Sequence, residues 1–171
     1  MIKTAACIMV IFAATFTGYL WGEGLKKRTE QLRELQRCIY QLQNEVVFTY
    51  TPLPEAFYNV SCKADNGVGR IFNEVSQLLY ANETDSVFEA FNAVLGKKDD
   101  LYFNNEDRRL ILSFSKNLGE TDLEGEKKIF ALTLDNLKQH VASAEDKMEK
   151  DIKMYRALGF TSGTMIAIML I

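Results

Sequence analysis

Apolar residues recur along most of this chain at the spacing of an α-helix. The first apolar stripe follows a basic cluster, and neither glycine nor proline interrupts the chain between Leu25 and Thr51. The stripe consists of Leu32, Leu35, Ile39, Leu42 and Val46. Proline disfavours helical geometry in the residue before it and lacks an amide hydrogen, so this helix is predicted to end at Thr51-Pro52. Pro54 suits the first turn of a short second helix that buries Ala56, Phe57 and Val60.

Two helices of moderate length are predicted next. Asn66-Gly67 separates the second helix from the third, which fades at Asn82. The fourth helix begins near Ser86, because Ser86 and Glu89 have the spacing of a capping box, and it ends at Gly96. The buried positions predicted for these two helices are Val68, Ile71, Phe72, Val75, Leu78 and Leu79, then Val87, Phe88, Phe91, Val94 and Leu95.

A fifth helix and a long last helix complete the pattern. Gly119 fits the position that follows the end of a helix, so the fifth helix ends before it. Thr121 and Glu124 have capping-box spacing and are predicted to open the last helix. The apolar stripe predicted for this helix consists of Ile129, Leu132, Leu137, Val141, Met148, Ile152 and Tyr155. No segment alternates long enough to predict a strand, so the fold class is all-α: a six-helix bundle in which the long first and last helices pair antiparallel.

Both ends of the chain are apolar. Residues 4–21 and 157–171 carry no charge, and a helix needs about 20 apolar residues to cross a bilayer. We therefore predict an amino-terminal transmembrane segment over 1–22, a helical domain over 23–156, and a membrane-inserting segment over 157–171. A cleaved signal peptide is the alternative for the first segment, but no small-x-small cleavage pattern follows it.

Basic residues flank the apolar ends on their inner sides. These residues are Lys26, Lys27, Arg28, Lys153 and Arg156, whereas Lys3 is the one basic side chain outside them. Because basic residues accumulate on the cytoplasmic side of membrane segments, the central domain is predicted to be cytoplasmic.

The net charge and the positions of the cysteines indicate which classes of protein are not expected. The central domain holds all 23 acidic residues and every basic residue except Lys3, which gives it a net charge of −4. A nucleic-acid-binding protein normally presents a basic face, so no nucleic acid is expected as a partner. Cys7, Cys38 and Cys62 form no CxxC pair, and we interpret them as buried free thiols.

The sequence contains no recognisable catalytic, cofactor or metal site. Gly67-Val68-Gly69 is followed by arginine rather than by the lysine of a phosphate-binding loop. His140 is the one histidine, and it is expected to be solvated or half-buried. The acidic pair Glu106-Asp107 fits the start of a helix, where carboxylates complement the helix dipole. We therefore expect a protein that is not an enzyme and that needs no cofactor.

Three motifs in order resemble the stage III sporulation protein AB family. They are Thr51-Pro52-Leu53-Pro54-Glu55-Ala56 after the first long helix, Leu118-Gly119-x-x-Asp122 before the last, and Tyr155-Arg156-Ala157-Leu158-Gly159 before the final apolar segment. The resemblance covers essentially the whole chain. One position departs from the family pattern, because Glu126 stands where we expect glutamine.

The resemblance implies a function in endospore-forming bacteria. Members of this family belong to the channel complex that joins the mother cell to the forespore, and their helical body is similar to the platform protein of type II secretion and type IV pilus systems. The implied partners are the ATPase, stage III sporulation protein AA, other membrane components of the channel, and membrane lipid. The implied location is the mother-cell side, in the outer forespore membrane, and a homo-oligomer is left open.

A docking site for the ATPase is predicted at the two turns that join the long helices to the rest of the bundle. Its candidate residues are Thr51, Pro52, Leu53, Glu55, Leu118, Gly119, Asp122 and Glu126. Two other functions remain open at this point. A membrane-anchored helical sensor or regulatory scaffold would also lack catalytic groups, whereas a membrane enzyme would need ionisable residues within the apolar segments.

Overall fold

The structure is a computed structural model. It describes the backbone of residues 2–97, 101–119 and 122–170, and the side chains of residues 23–65, 67–97, 101–119, 122–151 and 154. Within these ranges the chain forms six α-helices and no strand, which confirms the all-α class and the number of helices. The elements are α1 (Ile2–Gln43), a π-helical segment (Asn44–Phe48), α2 (Leu53–Ser61), α3 (Asn66–Tyr80), α4 (Val87–Gly96), α5 (Asn105–Asn117) and α6 (Leu123–Leu170).

The chain divides into two units. One unit contains Met1–Thr29 and Ser143–Ile171, and the other contains Glu30–Ala142. The start of α1 and the end of α6 therefore belong to the same unit, as an antiparallel pair of helices requires. In this unit Lys27 forms an ion pair with Glu23 one helical turn earlier, and Lys150 does the same with Asp146.

Most apolar side chains of the larger unit are buried as their spacing predicts, but Leu78, Leu79 and Phe88, which were predicted to be buried, are half-buried. All five members of the first stripe, from Leu32 to Val46, are buried. Helices α2, α3 and α4 share a cluster of phenylalanine rings, in which Phe57, Phe72 and Phe91 contact one another with centroids 5.6 to 6.0 Å apart. Burial of these aromatic surfaces is a main source of stability for a helical domain of this size.

The stripe on α6 differs from the predicted one. Leu137 and Val141 are buried, but Leu132 is 59% exposed, so its place in the stripe is wrong. Among the residues of α6 whose side chains are described, the buried positions are Phe130, Thr133, Leu134, Leu137, Val141 and Ala144, and the predicted members Ile152 and Tyr155 lie outside them. The buried positions follow spacings of three and four residues, and Leu132 lies off this face because it is two residues from both Phe130 and Leu134.

The predicted membrane segments lie outside the residues whose side chains are described, as do Lys153 and Arg156. Of the inner basic residues that are described, Lys26 and Lys27 are exposed and Arg28 is half-buried. Where the structure does describe side chains, no helix combines the length and the apolarity needed to cross a membrane.

Candidate protein-interaction site

The two turns predicted to bind a partner adjoin each other in the larger unit. Gly119, which follows α5, has a φ of +85°, a conformation that residues with a Cβ adopt at a cost. A Cβ at Gly119 would lie 2.9 Å from Cδ1 of Leu53, the first residue of α2. Glycine therefore serves two purposes here, since it permits the left-handed turn and lets Leu53 pack against the backbone. This contact brings the two motifs of the sequence together at one place.

The first of the two turns is held by the carboxylate of Glu45. Its Oε2 accepts hydrogen bonds from Thr51 Oγ1 at 3.1 Å and from Asn59 Nδ2 at 3.3 Å, and Lys63 Nζ lies 3.4 Å from Oε1. Burial raises the pKa of Glu45, but the hydrogen bonds from Asn59, Thr51 and Lys63 outweigh it and hold the pKa below its usual value. Thr51 N also donates to Glu45 O at 2.9 Å. These bonds fix the chain between the π-helical segment and α2.

The second turn is closed by Asp122, not by the predicted capping box. Asp122 directly precedes α6, and its Oδ1 accepts a hydrogen bond from Gly125 N at 3.1 Å. This is the bond of an N-cap residue to the third residue of its helix. Thr121 lies outside the described residues, and the side chain of Glu124 instead pairs with Lys127 at 2.8 Å. The predicted Thr121–Glu124 box thus lies partly outside the described residues, and the N-cap bond that the structure describes is made by Asp122.

Glu126 links the second turn back to α6. Its half-buried carboxylate accepts a hydrogen bond from the backbone N–H of Gly119. Burial raises the pKa of Glu126, and the bond from Gly119 offsets only part of that rise. The ionised carboxylate of Glu126 is therefore disfavoured by its partial burial.

The candidate residues differ in how far a partner can reach them. Pro52, Glu55, Gly119 and Asp122 are exposed, whereas Thr51, Leu53 and Glu126 are half-buried. Leu118 is buried and supports the turn from beneath. We call Pro52, Leu53, Glu55, Gly119, Asp122 and Glu126 the two-turn surface. Its role in binding stays a prediction.

Two exposed aromatic residues shortly before Pro52 in the sequence were not predicted. Phe48 is 68% exposed and Tyr50 is 71% exposed, although both are large and largely apolar. Tyr50 lies close enough to the first turns of α6 to contribute to the raised pKa of Lys127, after the larger contributions of the hydrogen bond and charge of Glu124.

A second candidate surface lies between α5 and α6. A groove of about 560 Å³ runs along these two helices, and Phe114, Thr133 and the exposed Leu132 line it. At one end of this groove His140, half-buried as predicted, places Nδ1 2.9 Å from Oδ1 of Asp107. Asp107 is fully buried and also forms a reciprocal capping box with Asn104. The pair thus ties α5 to α6 and caps α5.

Metal-binding groups and cysteine thiols were compared with their predicted roles. No group of three or more histidine, cysteine, aspartate or glutamate side chains is placed to hold a metal ion in the part of the chain that is described. Cys38 is buried, and burial together with the charge of Glu34 raises the pKa of its thiol to about 12. A thiol with this pKa stays protonated at neutral pH and is a poor nucleophile. Cys62 is exposed, which corrects the prediction that it is buried, and Cys7 lies outside the described residues.

A family model, a curated relative and a solved structure are similar to this chain, the first two over nearly its full length. The family model described as stage III sporulation protein AB matches residues 3–171. A curated relative, the stage III sporulation protein AB of Bacillus subtilis (strain 168), is 27% identical over 171 residues, which is 99% of each chain. A solved structure of a stage III sporulation protein AB is similar with a TM-score of 0.65 and 26% identity, and the similarity covers 71% of this chain and 96% of the other.

Proposed function

Because this chain belongs to the stage III sporulation protein AB family, we propose that it is a non-enzymatic membrane platform protein of the sporulating cell. It couples a secretion-type ATPase, stage III sporulation protein AA, to the channel complex between the mother cell and the forespore. The apolar ends 1–22 and 157–171 hold it in the outer forespore membrane, and residues 23–156 lie in the mother-cell cytoplasm. The inner basic residues Lys26, Lys27 and Arg28 support this orientation.

The observation that carries the proposal is the contact between Leu53 and Gly119. It joins the turn that follows the first long helix to the turn that precedes the last one. Both turns belong to the larger unit, whereas both apolar chain ends belong to the other unit. A soluble hexameric ATPase that binds the joined turns would act on the two helices that continue into the apolar ends.

The exposed carboxylates of the two-turn surface give the proposal a direct test. Glu55 lies in the first turn of α2 and is exposed, so its replacement by lysine should leave the fold intact. Asp122 is best replaced by asparagine, because asparagine removes the charge but still caps α6. We expect Glu55→Lys with Asp122→Asn to weaken capture of the ATPase by the full-length chain about tenfold, or about 1.4 kcal/mol.

A matched control changes the same charges in the loop between α3 and α4. Glu83→Lys with Asp85→Asn alters two exposed carboxylates by the same amount and should leave capture unchanged. Capture is measured with full-length protein in detergent and purified ATPase, and circular dichroism confirms the helix content. Equal loss in both variants would mean that net charge alone controls binding. If all variants capture the ATPase equally well, the docking site lies elsewhere. The groove between α5 and α6 would then be the next surface to test.

A further inference from the structure

The end of α1 is fastened by Glu45 to the turn that follows it. Residues Asn44–Phe48 form a π-helix, in which Thr49 N donates to Asn44 O at 3.1 Å, five residues earlier. Thr51 N donates to Glu45 O at 2.9 Å, and Thr51 Oγ1 donates to Glu45 Oε2 at 3.1 Å. Glu45 therefore binds Thr51 through both its backbone and its side chain, and these bonds fix the direction in which the chain leaves α1.

This conformation is unfavourable for Tyr50. The residue has a φ of +57°, and the left-handed conformation carries a steric cost for any residue with a Cβ. Packing returns little of this cost, since the side chain is 71% exposed. The bonds that the Glu45 carboxylate accepts from Thr51, Asn59 and Lys63 act in the opposite direction, because they require the chain to turn back toward Glu45. The conformation is thus a balance between a favourable contribution from Glu45 and an unfavourable one from Tyr50.

An α-helical end of α1 would use the same backbone groups with different partners. In an α-helix Thr49 N donates to Glu45 O, four residues earlier, and replaces Thr51 N there. Tyr50 then takes an ordinary helical φ, and Pro52 disfavours any continuation of the helix through the residue before it. The change relieves Tyr50 and gives up the bonds between Thr51 and Glu45. Only a few hydrogen bonds and one strained residue separate the two conformations, which is the condition for a two-state element.

The same change would alter the contact between the two turns. Leu53 lies against Gly119, where a Cβ would be 2.9 Å from Leu53 Cδ1. Pro52 is the one residue between Thr51 and Leu53, so release of Thr51 also releases Leu53. The bonds of Glu45 to Thr51 therefore help to hold Leu53 against Gly119.

We propose that residues 44–51 are a two-state switch that assembles the two-turn surface, with Glu45 as the positioning residue that holds the assembled state. In this state the π-helix brings Leu53 to Gly119, and the ATPase meets both turns together. When Glu45 releases Thr51, the segment rewinds as α-helix and the two turns separate. The proposal rests on the proposed function, since it takes the two-turn surface as the docking site, and it adds how that site is regulated. Short π-helical turns are rare and often occur at functional sites.

The test removes Glu45 and then restores the turn without it. Glu45→Ala in the full-length chain should keep the helix content, but amide exchange over residues 49–53 should become about tenfold faster and capture of the purified ATPase about tenfold weaker, as the loss of hydrogen bonds to a charged group implies. Tyr50→Gly lowers the cost of the left-handed turn. Added to Glu45→Ala, it should return both the exchange and the capture toward their wild-type values. A direct contact of Glu45 with the ATPase would show no such rescue of capture.

Asn82→Gly is the matched control for the rescue. Among the described residues Asn82 also combines a side chain with a positive φ, of 50°, and it follows the end of α3. Glu45→Ala with Asn82→Gly relieves a left-handed residue elsewhere, so its exchange and capture should stay as in Glu45→Ala. If the alanine variant does not fold, Glu45→Gln replaces it. Glutamine keeps an acceptor for Thr51 but loses the charge that pairs with Lys63, so the same changes are expected at smaller size.

Three results would overturn the proposal. The first is a Glu45→Ala chain that exchanges and captures like the wild type. The second is failure of Tyr50→Gly to slow the exchange of the Glu45→Ala chain, and the third is rescue of exchange without rescue of capture. Exchange is measured on the chain alone, so the two proposals fail in distinguishable ways. If the wild-type chain captures no ATPase, the proposed function fails, and the exchange data still decide whether Glu45 and Tyr50 control the turn.

Discussion

Phenylalanine occupies opposite environments in two parts of the larger unit. In helices α2 to α4, Phe57, Phe72 and Phe91 are at most 1% exposed, and each ring contacts the other two. At the end of α1, Phe48 projects into solvent from a π-helical turn. The same residue type is thus a core residue in one place and a surface residue in the other.

The difference shows that exposure at the end of α1 is not a failure of packing. The chain buries phenylalanine completely where three short helices meet, and it does so with rings at the tilted and edge-on angles that aromatic pairs favour. Where the chain instead adopts a rare helix and a left-handed tyrosine, it keeps two rings outside. Burial in a packed core explains the first arrangement, whereas the second contributes little buried surface.

The largest expected effect separates these two environments directly. Phe91→Ala should destabilise the larger unit by about 3–5 kcal/mol, because it opens a cavity in a closely packed core and removes two aromatic contacts. Phe48→Ala should change stability by no more than about 0.5 kcal/mol, as is usual for an exposed side chain. Amide hydrogen exchange of the full-length chain in detergent, followed in α2 to α4, measures both.

Similar losses in the two variants would contradict this contrast. They would mean that the Phe48 ring supports the end of α1 in spite of its exposure. The Phe48 ring would then be a structural feature of the π-helical segment.

The core could be predicted because the buried face of a helix requires apolar residues at regular spacings of three and four along the sequence. The spacing of Ala56, Phe57 and Val60 marks one face of a short helix, and all three are buried. Two predictions from turn residues are also confirmed: Ser86 caps the start of α4, and Gly119 adopts a left-handed conformation after α5. The prediction for Leu132 was wrong because it relied on the apolar side chain alone, and an apolar residue of a helix need not lie on its buried face.

The site was predicted as two motifs at one end of the bundle, but their contact was not predicted. The approach of Leu53 to Gly119 depends on how α2 packs against the turn between α5 and α6, and sequence spacing contains no information on that packing. The bond between Asp107 and His140 is hidden for the same reason, since 33 residues separate the two side chains. The π-helical segment was missed because the bonds that define it do not alter the pattern of apolar residues.

A smaller effect is expected where the two turns adjoin. Gly119→Ala should destabilise the larger unit by about 1 kcal/mol, mostly through the strain of a left-handed alanine. The clash with Leu53 adds little, since the end of a leucine side chain can move aside. Gly96→Ala is the control, because a Cβ at Gly96 would meet nothing within 4 Å, and it should be neutral. Thermal unfolding by circular dichroism measures both.

That pair of variants also tests whether the position of the turn matters for binding. If Gly119→Ala weakens ATPase capture by more than its loss of stability explains, the alignment of the two turns is part of the docking site. Equal stability of the Gly119→Ala and Gly96→Ala variants would show that the turn tolerates a side chain and that its geometry is loosely held.

The smallest expected change in stability comes from neutralising Glu126. The family resemblance predicts glutamine at this position, and glutamine is the uncharged counterpart of glutamate. Burial raises the pKa of this carboxyl in the folded state, so its contribution to stability is full below the unfolded pKa, about 4.3, and is lost as pH rises through the folded pKa. Glutamine can accept the same hydrogen bond from Gly119 without a buried charge. Glu126→Gln should therefore stabilise the chain at pH 7 by no more than about 0.5 kcal/mol, and should lose that advantage near pH 4.

Glu124→Gln provides the matched control two residues away. Glu124 is exposed and pairs with Lys127, so its neutralisation removes an ion pair rather than a burial cost. Such exposed pairs contribute between nothing and about 1 kcal/mol, and the variant should be neutral or slightly less stable at pH 7. Melting temperatures of both variants and the wild type at pH 4 and pH 7 give the comparison. A Glu126→Gln chain that is less stable at pH 7 would mean that the second turn requires the negative charge, and Glu126 would then belong to the fixed framework of the two-turn surface.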